Sequence, residues 1–330
     1  MPRVVAAPDK FRGTATGRQV AAAIAAAADD AGWDCDQMPV SDGGEGFCDV
    51  LGGRRRTTRV HGPLGDPVLA EWRLLPGDTT AVVEMAAASG LALLGGPLGN
   101  DPVGADTRGT GELIADAVKA GARQILVGMG GSASTDGGLA AIEVLEPHSR
   151  LKGVGLTVAC DVTTRFVDAA RVFSPQKGAT PAQAELLARR LERLVQVYAD
   201  RFGTDIADLP GSGAAGGLAG GLAAIGATLS SGFEVVAEAI DLPSFIENAD
   251  LVVTGEGFLD EQSFNGKAVG GVSDLAREAG VGVLIVAGDA EGDQPVPYCS
   301  LTERFGREAA MGDTVRLVRQ VVADELRRRA

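Results

Sequence analysis

Short apolar runs of strand length alternate along the chain with longer stretches rich in Ala and Leu, and this alternation confines it to an α/β fold with a mainly parallel sheet. The runs Val4 to Ala7, Asp36 to Val40, Ala81 to Met85, Gln124 to Met129, Leu156 to Cys160, Leu251 to Thr254 and Val281 to Ala287 read as strands. Gly17 to Ala31, Thr110 to Ala120, Pro181 to Arg201, Gly266 to Ala279 and Asp313 to Arg329 read as helices. One region departs from this rhythm. Between Arg54 and Glu84, β-rich runs are separated by Gly62-Pro63-Leu64-Gly65-Asp66-Pro67 and by Pro76-Gly77-Asp78, the turn chemistry of antiparallel hairpins. A second departure is the stretch from Asp208 to Gly226, where Gly and Ala dominate and only close backbone packing or ligand approach accounts for them.

The expected architecture is therefore a doubly wound, mainly parallel Rossmann-like domain interrupted by a second α/β domain containing the hairpins. The boundaries expected are 1–52, 107–150 and 245–330 for the first domain and 53–106 with 151–244 for the second, with the ligand cleft between them.

In an open α/β sheet ligands collect beyond the carboxyl ends of the strands. Five strand ends here carry acidic groups beside glycine. They are Pro8-Asp9-Lys10-Phe11-Arg12-Gly13, Ser41-Asp42-Gly43-Gly44-Glu45-Gly46, Gly130-Gly131-Ser132 through Asp136-Gly137-Gly138, Asp161, and Gly255-Glu256-Gly257 with Asp260 and Gly266-Lys267 beyond. Glycine loops that run into helix amino termini expose N–H groups to a phosphate, and carboxylates on neighbouring strand ends can hold Mg²⁺. The chain has 47 glycines in 330 residues and a net charge of −14, which argues against partners held by basic patches, nucleic acid and anionic membranes included. Phosphates must then be met by local features. Cys35, Cys48, Cys160 and Cys299 show no metal-ligand spacing, and the opening residues form no signal peptide, so a cytoplasmic protein with reduced thiols is expected.

Two nucleotide motifs can be checked. Gly266-Lys267 is followed by Ala268 and preceded at the required offset by Glu261, so it is not a Walker A loop. Gly128-Met129-Gly130-Gly131-Ser132-Ala133 satisfies G-x-G-x-x-A after a strand, which keeps open a dinucleotide-dependent dehydrogenase of a small hydroxy acid.

Taken together the loops resemble the bacterial glycerate kinase family that lacks a Walker A motif. The resemblance is carried by Ala7-Pro8-Asp9, Asp42-Gly43-Gly44-Glu45-Gly46, Glu84-Met85-Ala86-Ala87-Ala88-Ser89-Gly90-Leu91, Gly109-Thr110-Gly111-Glu112-Leu113, Gly130-Gly131-Ser132-Ala133 with Asp136-Gly137-Gly138, Pro175-Gln176-Lys177-Gly178-Ala179-Thr180, and Thr254-Gly255-Glu256-Gly257. These segments recur in family order from residue 4 to about 290. The family implies ATP-dependent phosphorylation of a hydroxyl of D-glycerate, with Mg²⁺, on a two-domain α/β structure.

Residue chemistry then suggests the roles. Asp42 and Asp136 are expected to hold Mg²⁺ or orient the hydroxyl, with Asp161 a third metal ligand and Asp260 an alternative base. Lys267 would stabilise the transferring charge, and Lys10, Arg12 and Lys177 would bind the acceptor. Gly43, Gly44, Gly130, Gly131, Ser132, Gly255, Glu256 and Gly257 form the expected nucleotide loops. Two positions depart from the family pattern: Phe258 replaces its usual Arg and Asn265 its usual His. A related acceptor acid, or a non-catalytic binding protein derived from the kinase fold, therefore stays open beside the kinase.

Overall fold

The computed structural model describes residues 1–264, 267–292 and 294–329 and divides the chain into two compact units, Met1–Asp42 with Phe233–Ala330, and Gly43–Gly232. The strands are β1 (Arg3–Ala6), β2 (Asp34–Gln37), β3 (Arg54–His61), β4 (Pro67–Leu74), β5 (Thr80–Glu84), β6 (Gln124–Gly128), β7 (Gly155–Ala159), β8 (Thr228–Ser230), β9 (Leu251–Leu259), β10 (Gly282–Ala290) and β11 (Tyr298–Ser300).

The first unit is built on one sheet in the order β11-β10-β9-β1-β2, in which every pair is parallel. Successive strand residues point to opposite faces, so each strand of a doubly wound sheet must be apolar throughout. Val286 packs with Val4, Ala6 and Val253 against the helices Gly17–Asp30 and Thr314–Arg329, while its neighbours Ile285 and Ala287 pack with Val269 of the helix Ala268–Ala279. Thr16 caps the helix Gly17–Asp30: its hydroxyl accepts from the Gln19 N–H, and the Gln19 side chain accepts from the Thr16 N–H.

The second unit holds a mixed sheet, β3-β4-β5-β6-β7-β8. The expected hairpins are present: β3 pairs antiparallel with β4 and β4 with β5, after which β5 to β8 run parallel. Trp72 of β4 is fully buried, and its indole N–H finds the Thr58 hydroxyl at 3.0 Å, which removes the cost of burying a polar tip.

The fold class is as the sequence suggests, a parallel domain interrupted by a second α/β domain, but the boundaries differ. Residues 107–150 were expected in the first domain. They instead supply β6, which is hydrogen-bonded between β5 and β7, so the whole of 43–232 is one unit. Residues 233–244, expected in the second domain, belong to the first unit. Among the described residues no helix is long and apolar enough to cross a membrane.

Candidate active site

In the first unit a cavity of about 450 Å³ opens at the carboxyl ends of the parallel strands. The segment after β1 contributes Asp9, Lys10, Arg12 and Thr14, and Asp42 follows β2. Late β9 contributes Glu256, Gly257 and Phe258, with Asp260 and Lys267 beyond it, and late β10 contributes Asp289. Thr302, Arg307, Met311 and Thr314 close the far wall. The loop after β1 is tied into a tight turn: Phe11 and Ala15 exchange backbone hydrogen bonds of 2.8 and 2.9 Å, and the Thr14 hydroxyl donates to the Phe11 carbonyl. That closure fixes the positions of Lys10 and Arg12.

The charges on the wall fall into two groups. Lys10 is spent internally, its ammonium lying 3.3 Å from Asp42 and 3.6 Å from Asp9. Burial works against its charge, but the two carboxylates more than offset this and lift its pKa above the ordinary lysine value. Arg12, Lys267 and Arg307 form no salt bridge among the described residues, and their charge is available to a ligand. Asp9 is buried, and that burial, opposed by Lys10 and reinforced by Asp42, pushes its pKa up to about 6. Burial likewise pushes Glu256 up to about 7; a hydrogen bond from Ser263 and the charge of Lys267 oppose the shift, and Asp9 and Asp260 add to it. Asp260 caps a turn, its Oδ1 accepting from the Ser263 N–H at 3.0 Å and the Ser263 hydroxyl at 3.3 Å.

Thus Lys10, Arg12, Asp42, Asp260, Lys267 and Glu256 share one cavity, as the strand-end rule suggests. Asn265 and Gly266, also singled out from the sequence, lie outside the described residues. Asp9, Asp289, Thr302 and Arg307 were not picked out as site residues. Asp9 and Asp289 carry the same strand-end signal as the others; Thr302 and Arg307 lie on short helices that no motif marks.

The remaining expected residues belong to the second unit and are engaged differently. Asp136 is held by four donors: the Thr107 hydroxyl at 2.7 Å and N–H at 3.1 Å, and the N–H groups of Gly138 and Ala140 at 3.2 and 3.4 Å. The carboxylate organises its own loop. Asp161 accepts from the Ser231 hydroxyl and the Gly232 N–H. Lys177 is 2 % exposed, its ammonium donating to the Ser134 carbonyl at 2.5 Å, and burial lowers its pKa to about 7 despite Asp136. A side chain so enclosed holds the Ser134 loop in place. Unfolded, Lys177 keeps its proton up to the ordinary lysine value of 10.5, so the unfolded chain binds more protons than the folded one between pH 7 and 10.5, and native stability gains with pH over that window. Lys177→Met should remove this gain. Denaturant titrations at pH 6, 8 and 10 should show the variant's stability relative to wild type falling as pH rises; a constant difference would show that the lysine stays charged in the native state.

The glycine loops, expected to cradle phosphate, are also demanded by packing. A methyl group at Gly43 would lie 2.7 Å from the Ala159 carbonyl oxygen, and one at Gly130 2.6 Å from the Gly44 Cα, so these loops are packed on one another. A methyl group at Gly257 would lie 2.9 Å from the Arg12 nitrogen. Gly255 sits inside the β9–β10 ladder against Val286. The G-x-G-x-x-A stretch opens no helix, since β6 ends at Gly128 and the next helix starts only at Leu139. The helix amino terminus that a dinucleotide needs at that position is therefore missing.

Among the described residues no three His, Cys, Asp or Glu side chains are grouped to hold a metal ion by themselves. Mg²⁺ asks less, because it keeps several waters and takes one or two carboxylates together with substrate phosphates. The hard oxygens of Asp42 on the cavity wall fit that role.

An α/β scaffold gathers acidic and basic side chains at its strand ends, and comparison with known proteins gives the class of site. The model of the glycerate kinase family matches residues 4–147 and 139–318. Glycerate kinase of Bacillus subtilis (strain 168) is 37 % identical over 335 residues, covering 90 % of this chain and 87 % of that protein. Glycerate 2-kinase of Escherichia coli (strain K12) is 36 % identical over 334 residues, with 90 % and 87 % covered. A crystal structure of a protein assigned as glycerate kinase 2 in Salmonella typhimurium LT2 superposes with a TM-score of 0.85 at 32 % identity, over 99 % of both chains. The chain belongs to the glycerate kinase family.

Proposed function

We propose that the protein is a glycerate kinase that transfers the γ-phosphoryl group of ATP to a hydroxyl of D-glycerate in the cytoplasm, without nucleic acid or membrane partners. The observation that carries this reading is the strand-end cavity of the first unit, where Arg12, Lys267 and Arg307, which form no salt bridge among the described residues, line the wall with the carboxylates Asp9, Asp42, Glu256 and Asp260. Both substrates are anions, and a chain of net charge −14 must attract them by local cations. Arg12 offers a planar, permanently charged fork to the acceptor carboxylate. Lys267 stands at the start of the helix Ala268–Ala279, where its ammonium and the positive end of the helix both favour the charge that grows on the transferring group. Asp42 would hold Mg²⁺, which when bound supplies positive charge to the phosphate oxygens.

Following ATP consumption with and without D-glycerate tests the reading. ADP formation that requires the acid and yields a phosphoglycerate supports it, and identification of the product shows which hydroxyl reacts. ATP consumption indifferent to D-glycerate and to related hydroxy acids would overturn it. Lys267→Met should lower kcat by about 10²- to 10³-fold, the scale of losing one charge-stabilising donor, with KM for D-glycerate little changed.

A further inference from the structure

We propose that Glu256 accepts the proton of the hydroxyl that attacks the γ-phosphorus. The inference rests on the kinase reading and assigns within it a role that the sequence motif does not, since the motif places Glu256 among nucleotide contacts.

Three observations carry it. Glu256 sits on β9 opposite Ala287 of β10, beyond the last β1–β9 pair, Ala6 with Val253, so its side chain stands on the cavity wall at the strand ends. Its Oε1 is buried and has no hydrogen-bond partner among the described residues. The neighbouring carboxylates are committed, Asp9 to the Lys10 N–H at 2.6 Å and Asp260 to Ser263. A buried acceptor without a donor is costly, and it is satisfied by a ligand that brings a proton. A phosphate oxygen brings none and is repelled by a carboxylate, whereas an alcohol donates. The unmet oxygen therefore selects for the acceptor hydroxyl and against the nucleotide.

The surroundings suit the task. The Ser263 hydroxyl, shared with Asp260, and the charge of Lys267 favour the ionised form of Glu256, and burial with Asp9 and Asp260 opposes ionisation, so that it titrates at about 7. A base is most effective when its pKa lies near the working pH. In the step, the hydroxyl oxygen forms its bond to the γ-phosphorus as the bond from that phosphorus to the β–γ bridging oxygen breaks. The departing ADP keeps that electron pair, and the hydroxyl proton passes to Oε1, from which it is later lost to solvent.

Steady-state kinetics of wild type, Glu256→Gln and Glu256→Asp between pH 5.5 and 9 test the proposal. Wild type should show kcat/KM rising with pH through a midpoint near 7. Glu256→Gln should lose about 10²- to 10⁴-fold in kcat together with that rising limb, while KM for ATP changes by less than about threefold, a binding-only loss being the alternative signature. Glu256→Asp should restore part of the rate with the limb displaced. If Glu256→Gln keeps wild-type kcat, or keeps the limb at its original midpoint, the proposal is overturned and the kinase reading stands. If KM for ATP rises with kcat unchanged, Glu256 is a nucleotide contact and the proposal is overturned as well. Absence of D-glycerate-dependent turnover in the wild type brings down the kinase reading and this role with it. Should Glu256→Gln fail to fold, Glu256→Asp decides: a wild-type rate and an unmoved limb overturn the proposal, because a carboxylate drawn back by one methylene meets the hydroxyl less well and titrates differently.

Discussion

Asp42→Asn is expected to fold like the wild type and to lose at least about 100-fold in turnover, equivalent to about 3 kcal/mol of transition-state stabilisation. The substitution keeps the size of the side chain and one carbonyl oxygen facing Lys10, whose ammonium lies 3.3 Å from the carboxylate. Lys10 also retains Asp9 at 3.6 Å, so no buried charge is left alone. The pair Lys10–Asp42 is only partly screened, with the Asp42 side chain 30 % exposed, and its loss should cost about 1 kcal/mol or less of stability. What disappears is the negative charge on the wall proposed to meet Mg²⁺ and the phosphates, and an amide oxygen is a poor substitute for a carboxylate toward a hard cation. Kinetics at varied Mg²⁺ should therefore show the half-saturating concentration rising more than about tenfold alongside the fall in kcat. Near-normal rates at low Mg²⁺ would remove Asp42 from the site.

The sheets were legible because a strand buried on both faces must be apolar along its length, and Val4, Val253 and Val286 meet that demand. Where the reading slipped, the cause was local. The second strand was expected over 36–40 but runs Asp34–Gln37, since Pro39 has no N–H to offer the ladder. The ninth, expected to stop at Thr254, continues to Leu259, because Gly255 and Gly257 are places of close backbone approach within the strand and not loop residues. β8 and β11, of three residues each, are too short to show periodicity. Composition announces that β6 is a strand but not which sheet receives it, and the domain boundaries went astray there. The site followed the same logic. Asp9, Lys10, Arg12, Asp42 and Glu256 are adjacent to strand ends, which sequence can locate. Arg307 reaches the cavity from a short helix far along the chain, and only tertiary packing brings it there.

The glycines of the Gly255-Glu256-Gly257 stretch separate the two accounts of this site most sharply. If Gly255 were present to offer its N–H to a phosphate, Gly255→Ala would leave a folded protein with weakened affinity for ATP. In the structure its α-carbon faces the neighbouring strand, and an added methyl would overlap the Val286 carbonyl oxygen, with the Val286 nitrogen only 3.2 Å away. Backbone in the middle of a ladder cannot yield without breaking its hydrogen bonds, and β9–β10 is the most extensively paired junction of the five-stranded sheet, from Gly282 with Leu251 to Ala290 with Leu259. Gly255→Ala should therefore cost more than about 4 kcal/mol, in the range reserved for severe steric conflicts, and lower Tm by about 6 °C or more. Gly131→Ala is the matched control. Gly131 has φ +71° and an added methyl would meet only the Ala86 side chain at 3.4 Å, so the cost there is the conformational strain of a left-handed residue, about 1–2 kcal/mol. Calorimetric melts of the two variants, set beside ATP titrations, distinguish the accounts: a Gly255→Ala protein that melts like the wild type but binds ATP poorly would mean that the ladder tolerates the methyl and that the glycine serves the nucleotide after all.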